Sequence, residues 1–373
     1  MDQASLIITG FVFLLFLILA GYYSLHKKAN DQALLLVIFG VIFVIASISN
    51  LLEAILPILF LLFFLSIFSQ YLRKKQMYQL LWSISLFMFF LTTLFQAIAA
   101  ITGAWEITML RVYYVFAAFQ VMLLGLGELY LLSKRNVITK NTNIAVIFIS
   151  GFFWMLFGFI YFSESNELIL LVIALFGIAI LLYGLLDVVF AITKLKQFQV
   201  TSLQYTNFLI VSSVVMFVLS VFFTFTVKPL VGFNLDQVQV EAVIGSVWTN
   251  YSVVRAFSPL FAVNGAMFIF TGSIYSYILW QYNIKKKEGK FTFSTGIFNI
   301  YFALGVAIFS AGGLLSQNTV VTVLYMTELL GGIFMYFGFL ESDKISMDMI
   351  MDIVTFRFLH KQYQETKTII HKS

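Results

Sequence analysis

Apolar residues along this chain arrive in long blocks, and polar residues arrive in short clusters between them. A membrane-crossing helix needs about 20 mostly apolar residues. Eleven blocks meet that need, at roughly 5–24, 33–50, 56–72, 78–101, 109–133, 144–163, 168–192, 205–228, 256–282, 294–315 and 319–340. The second and third are the shortest. They are joined around Asn50 to Glu53, and Pro57 follows, where it suits the first turn of a new helix. One helix over 33–72 would far exceed a bilayer, so a tight hairpin is expected there. The opening Met1-Asp2-Gln3 lacks the basic start of a secretion signal, and Lys27 and Lys28 follow the apolar block instead. The first block therefore reads as an uncleaved helix with its N-terminus outside.

Composition agrees with the pattern. Hydrophobic residues make up 61% of the 373 and charged residues only 10%, too few to cover a soluble surface of that size. Disorder is excluded because it requires the opposite balance. The sequence has no cysteine, which removes disulfides, thiolate metal sites and cysteine nucleophiles. His26, His360 and His371 lie beside lysines outside the apolar blocks, so no haem or histidine-built metal centre is expected at membrane depth. No cofactor and no metal are expected.

The net charge of +5 would suggest nucleic acid in a soluble protein. Here its distribution points to the lipid bilayer. With the N-terminus outside, 19 of the 22 lysines and arginines fall in inner connections or the tail, and only Arg111, Lys228 and Arg255 fall outside. A miscounted span would invert every later loop, so this bias supports eleven spans, N-out and C-in, in a cell membrane. Trp105 and Trp248 sit where interfacial aromatics belong.

The blocks also repeat. Helices six and seven align with helices ten and eleven at +154 without a gap: Gly151 with Gly305, Gly158 with Gly312, Gly177 with Gly331, Gly184 with Gly338, and Asp187 with Glu341. Within each helix the glycines are seven apart and share a face, which lets helix backbones approach in lipid. Helix four matches helix eight at +128. Helix five matches helix nine at +144 or +145, pairing Arg111 with Arg255 and Gln120 with Asn264. The expected fold is an all-α integral membrane protein of about eleven transmembrane helices. A three-helix segment (1–76) precedes two parallel four-helix repeats, 77–198 and 199–341, the second carrying an outer loop at 229–254. A cytoplasmic amphipathic tail follows at 342–373. Parallel repeats imply a pseudo-twofold axis along the membrane normal.

Arg-Val-Tyr-Tyr at 111–114, Gly-Leu-Gly-Glu-Leu-Tyr-Leu-Leu at 125–132, Ser-Ala-Gly-Gly at 310–313 and Leu-Tyr-Met-Thr-Glu-Leu-Leu-Gly at 324–331 are distinctive. Through them, residues 82–135 and 264–341 resemble an uncharacterised family of prokaryotic polytopic membrane proteins. The resemblance implies the architecture and brings no activity with it.

Ionisable groups at membrane depth are expensive and point to function. Glu328 stands near the middle of the eleventh block, where the other repeat has Ala174. It can carry a proton or bind a cation, or simply bond a neighbouring helix. Glu128 lies near the inner end of the fifth block, where Lys134 or Arg135 can pair with it. Gln120 and Asn264 either bind helices together or receive a small polar solute. Arg111 and Arg255 open their helices on the outer side, as anchors or as an anion-attracting mouth. Asp187 and Glu341 lie near inner helix ends.

No phosphate loop, nucleophile elbow or metalloprotease motif is present, so the chain is not read as an enzyme. A lipid-modifying enzyme would have to be built from Glu106, Arg111, Asp236, Glu241 and Arg255, whose spacing fits no known site. Two readings remain. One is a secondary transporter or carrier for a small solute, coupled to a proton or cation. The other is a non-catalytic subunit, sensor or assembly protein. Its tail at 343–367, with Ile345, Met349, Ile353, Phe356, Leu359 and Tyr363 on one face, would bind a protein partner.

Overall fold

The computed structural model describes residues 3–26, 30–48, 52–103, 105–134, 140–165, 168–192, 201–228, 253–288, 296–315 and 321–343. Among these it contains eleven α-helices and no strand. They are α1 (Gln3–His26), α2 (Asn30–Ile48), α3 (Leu52–Lys74), α4 (Met77–Thr102), α5 (Ile107–Lys134), α6 (Lys140–Ser165), α7 (Leu168–Ile192), α8 (Ser202–Thr226), α9 (Val253–Glu288), α10 (Ile297–Leu315) and α11 (Val321–Asp343). An apolar block has this outcome because lipid offers no partner for backbone N–H and C=O groups, and a helix satisfies them internally. Among the described residues, six segments are long and apolar enough to cross a membrane: Leu52–Lys74, Met77–Thr102, Ile107–Lys134, Val146–Ser163, Ser202–Thr226 and Val254–Leu279. Shorter apolar stretches cover Thr9–Leu25, Asp31–Ser47, Leu170–Leu186 and Ile297–Ser310. The loop at 229–254, apart from the start of α9, and the tail beyond Asp343 lie outside the described residues.

The helix boundaries have local causes. α3 closes on Arg73 and Lys74, cations that suit a helix C-terminus. Lys75 then turns left-handed at φ 49°, and its N–H bonds to Tyr71 O at 2.7 Å. Gly103, at φ 73°, ends α4 in the same way, with its N–H on Ala99 O at 2.9 Å. α8 opens on a capping box in which Thr201 and Gln204 satisfy each other's backbone N–H groups. Pro57 departs from expectation. α3 begins at Leu52, so the proline lies inside the helix and not in its first turn. The position costs one backbone hydrogen bond, the one to Glu53 in the first turn of the helix.

The chain divides into two compact units, one of residues 1–97 with 280–373 and one of residues 98–279. This division cuts across the repeat boundaries expected from sequence, because α4 belongs mostly with α10 and α11, whereas α8 belongs with α5, α6 and α7.

In the first unit α11 is the central helix. Nearly every side chain from Tyr325 to Leu340 is buried. Phe334 stacks on Phe16 of α1, Tyr336 meets Phe39 of α2, and Phe337 takes the edge of Tyr23. Tyr336 shares a hydrogen bond with Ser66 of α3 at 3.1 Å. Phe60, Phe89 and Phe309 form an aromatic trio joining α3, α4 and α10, with centroids 5.0, 5.1 and 6.4 Å apart. In the second unit Phe119 of α5 stacks on Phe217 of α8, and Phe261 of α9 takes the edges of Phe119 and Trp154. Ser133 and Thr206 share a buried hydrogen bond at 2.8 Å.

Among the described residues, two pairs of consecutive helices bring glycines of both partners into backbone contact. A Cβ placed on Gly151 of α6 would stand 3.0 Å from Gly177 O of α7, and one on Gly177 would stand 2.8 Å from Gly151 O. In the first unit, Cβ atoms on Gly305 of α10 and Gly331 of α11 would each lie 2.7 Å from the other's carbonyl oxygen. Neighbours correspond as well. Gly177 abuts Met155 as Gly331 abuts Phe309, and Gly151 abuts Leu181 as Gly305 abuts Met335. Gly184 abuts Ile147 and Phe148 as Gly338 abuts Tyr301 and Phe302.

Backbone atoms cannot move aside for a methyl group. Gly305→Val should therefore destabilise the protein by about 1–3 kcal/mol through overpacking. Gly21→Val, on α1 where nothing lies within 4 Å, should leave stability unchanged. Thermal unfolding of the two variants in detergent, followed by tryptophan fluorescence, checks this. Equal melting temperatures would refute the close-contact account.

Candidate functional site

Glu328 is the eighth of 23 residues in α11, about 10 Å in from the start of the helix and about 22 Å from its end at 1.5 Å per residue. It is therefore nearer one end than the block boundaries indicated. Its side chain is 7% exposed. The Gln96 amide of α4, 2% exposed, donates a hydrogen bond to the carboxyl. Oε2 is buried and accepts no hydrogen bond. Leaving a buried acceptor unsatisfied costs about 1–3 kcal/mol, and in a native fold such a group calls for an explanation.

Gln96 escaped the sequence reading. Its signal was present all the same, as an amide near one end of an otherwise apolar helix. Because α4 and α11 run in opposite directions, residue 96, six before the end of α4, comes level with residue 328, seven after the start of α11. Tyr325, one turn before Glu328, was also not singled out. Its hydroxyl lies within electrostatic range of both Glu328 and Glu53, the second residue of α3.

The other candidates are held differently. Glu128 is 6% exposed and lies against α9, where Gly272 makes room for it: a Cβ on that glycine would stand 2.8 Å from Glu128 Cγ. Asn264 is fully buried, with Nδ2 donating to Leu260 O at 2.7 Å and Oδ1 unmatched. Gly265 beside it presses on the backbone of Val121 and Met122, which brings the buried Gln120 to the same level. This crossing is closed by backbone contact, as suits amides that bind helices together.

Arg111, fifth in α5, donates Nη1 to Phe225 O at 2.9 Å and Nη2 to Val227 O at 3.4 Å, with its guanidinium 5.9 Å from the centre of the Phe225 ring. It thereby satisfies carbonyls at the end of α8 that have no helical partner. Arg255 donates to the Tyr114 hydroxyl. Both cations are thus engaged with protein groups. Glu106 accepts the Met109 N–H at 2.8 Å and caps α5. Glu341 lies within electrostatic range of Tyr23 and Tyr301. Asp187 is on α7, and its side chain lies outside the described residues, as do Asp236, Glu241 and residues 344–367. Among the described residues, no group of three histidines, cysteines or acids stands where a metal ion could be held.

No protein-family model, curated protein or solved structure matches the chain. What can be said of function rests on the geometry.

Gln96→Leu should destabilise the protein by about 1–3 kcal/mol, because it strips Glu328 of its partner. Adding Glu328→Leu should recover most of the loss, and a double-mutant cycle of melting temperatures measures the coupling; purely additive effects would show that the pair does not interact. Separately, the backbone N–H groups of Thr108 and Met109 hold the exposed Glu106 carboxyl below its usual range. A depressed folded value means that this stabilisation is full above the ordinary glutamate range and is lost as pH falls through the lowered value. Wild type should exceed Glu106→Gln in stability at neutral pH and converge with it in acid. A constant gap across the titration would rule out the charged cap.

Proposed function

We propose that the protein is a secondary transporter or carrier for a small solute, with Glu328 as the group that binds the coupling proton or cation. The observation that carries this reading is the Glu328 carboxyl: it is buried on the most enclosed helix of its unit, with one oxygen left without a partner. A structural acid would have both oxygens satisfied or would have been replaced by an apolar residue. An acid that must take up and release an ion needs an open lone pair.

The proposed duplication sharpens the point. The matching contacts of α6 on α7 and of α10 on α11, residue for residue at +154, support two copies of one helix pair. In the first copy the position of Glu328 is held by Ala174, fully buried against the Gly158 backbone. The scaffold itself therefore packs with a methyl group at this place. The acid is an addition to it, and the carrier reading gives the addition a use. The two repeats of four helices, the eleven spans and the N-out, C-in orientation in a cell membrane belong to the same proposal.

Full-length protein reconstituted in proteoliposomes and placed on a solid-supported electrode tests it. Panels of amino acids, sugars and organic acids are applied, with and without a pH step. Wild type should give a solute-dependent current, and Glu328→Gln, reconstituted in equal amount and with an unchanged melting temperature, should give none. Equal currents in the two proteins would remove Glu328 from the mechanism. No solute-dependent or pH-driven current in wild type would refute the carrier reading.

A further inference from the structure

We propose that Glu328 exchanges a proton, not a metal cation, with the surface at which α3 and α11 begin, by way of Tyr325 and Glu53. The proposal rests on the reading of Glu328 as the coupling site and names its ion and its route.

The ion follows from the donors available. A hard cation gathers six or more oxygens. The partner that α4 supplies to Glu328 is the N–H side of the Gln96 amide, and the unmatched oxygens here, Gln96 Oε1 and Glu328 Oε2, are two where a hard cation gathers six or more. No group of three acids or imidazoles stands together among the described residues. A proton needs a single lone pair, and Oε2 has one free.

The route follows from the helix. Beyond Glu328, toward the end of α11, the side chains from Leu329 to Leu340 are apolar or, like Tyr336, already hydrogen-bonded, and nearly all are buried. Toward the start, Tyr325 is three residues away and so on the same face. Its hydroxyl lies within electrostatic range of both Glu328 and Glu53. α3 and α11 run in the same direction and begin at the same level, because Leu59 and Phe60 meet Gly332 and, farther along both helices, Ser66, 14 residues after Leu52, bonds Tyr336, 15 residues after Val321. Glu53 therefore stands at the mouth, and it is partly exposed. Among the described residues, Tyr336 and Glu341 lie farther along α11 itself, and the other titratable groups that approach it from other helices are Tyr23 of α1 and Tyr301 of α10. They gather around Phe334 and Phe337, past the far side of Glu328.

The transfer balances without a co-reactant. The Tyr325 oxygen accepts a proton from Glu53 as its own hydrogen passes to Glu328 Oε2. The hydroxyl is restored, Glu53 is left as carboxylate, and Glu328 becomes the neutral acid.

Infrared spectroscopy of the full chain in lipid bilayers tests this without any solute. A protonated buried carboxyl gives a carbonyl band that shifts when its hydrogen is replaced by deuterium. Wild type should show that band, and Glu328→Gln should lack it. After a switch to deuterated buffer, Tyr325→Phe and Glu53→Gln should slow the shift roughly tenfold or more, the scale of a lost proton-transfer group. The size of the band should be unchanged. Tyr336→Phe, on the same helix, should exchange at the wild-type rate. Exchange of Tyr325→Phe at that rate would overturn the route while leaving proton binding in place. A carboxylate signal that responds to sodium or calcium chloride and never to pH would overturn the proton. Neither result depends on solute currents, so a failure here is distinct from a failure of the carrier reading.

Discussion

Backbone-to-backbone contact between helices is the constraint on which the rest of this fold depends. In lipid, apolar side chains gain nothing by leaving the solvent for one another, so helices associate through close packing and hydrogen bonds. The Gly151–Gly177 and Gly305–Gly331 crossings supply that packing by letting one helix rest its carbonyls on the other. Gly265 on Val121 does the same for α5 and α9. Once α10 lies against α11, another face of α11 is open to α3, where Gly332 admits Leu59 and Phe60. α1 and α2 add the aromatic contacts of Phe16, Tyr23 and Phe39. A helix enclosed in this way has little freedom to redirect a side chain, and Glu328 is placed accordingly.

This enclosure gives the carboxyl its meaning. An acid on a lipid-facing helix can tilt toward the headgroups and meet water. Glu328 is held about 10 Å along its helix, with Gln96 on one oxygen and nothing on the other. Glu128 shows the contrast, because the neighbouring helix α9 makes room for it at Gly272. An accommodated acid and an unsatisfied one look alike in a list of polar residues. They differ in what surrounds their oxygens.

The sequence made the helices legible, because an apolar block of the right length has one outcome in lipid. Blocks and helices correspond throughout, with shifts at the ends such as the longer α9, which carries its polar turn Lys285 to Glu288 as helix. The glycine spacing of seven also announced which faces would touch. Glu328 stood out because a carboxyl in an apolar run has no ordinary purpose. Gln96 did not, since a glutamine amide among phenylalanines and alanines resembles many helix-binding amides until the level of its partner is known. Arg111 illustrates the converse. Its type and position suit an anion, and only the nearness of the α8 carbonyls shows what its fork holds. Pairing between distant helices is set by three-dimensional level, and no spacing along one helix encodes it.

The division of the chain into units adds a last step. On the proposed duplication, α4 is the counterpart of α8 and α10–α11 of α6–α7, yet α4 sits in the unit of α10–α11 and α8 in the unit of α6–α7. Each unit thus combines a helix from one repeat with a glycine-crossed pair from the other. The same offsets carry Gln96 to Thr224 and Glu328 to Ala174. One combination presents an amide and a carboxyl; the other presents a hydroxyl and a methyl, both buried. If the proposed carrier reading holds, a scaffold built twice needs its ion-binding chemistry only once, because a second buried carboxyl would repeat the cost of desolvation. On the proposed duplication and the proposed carrier role, the asymmetry falls in the unit whose central helix is α11.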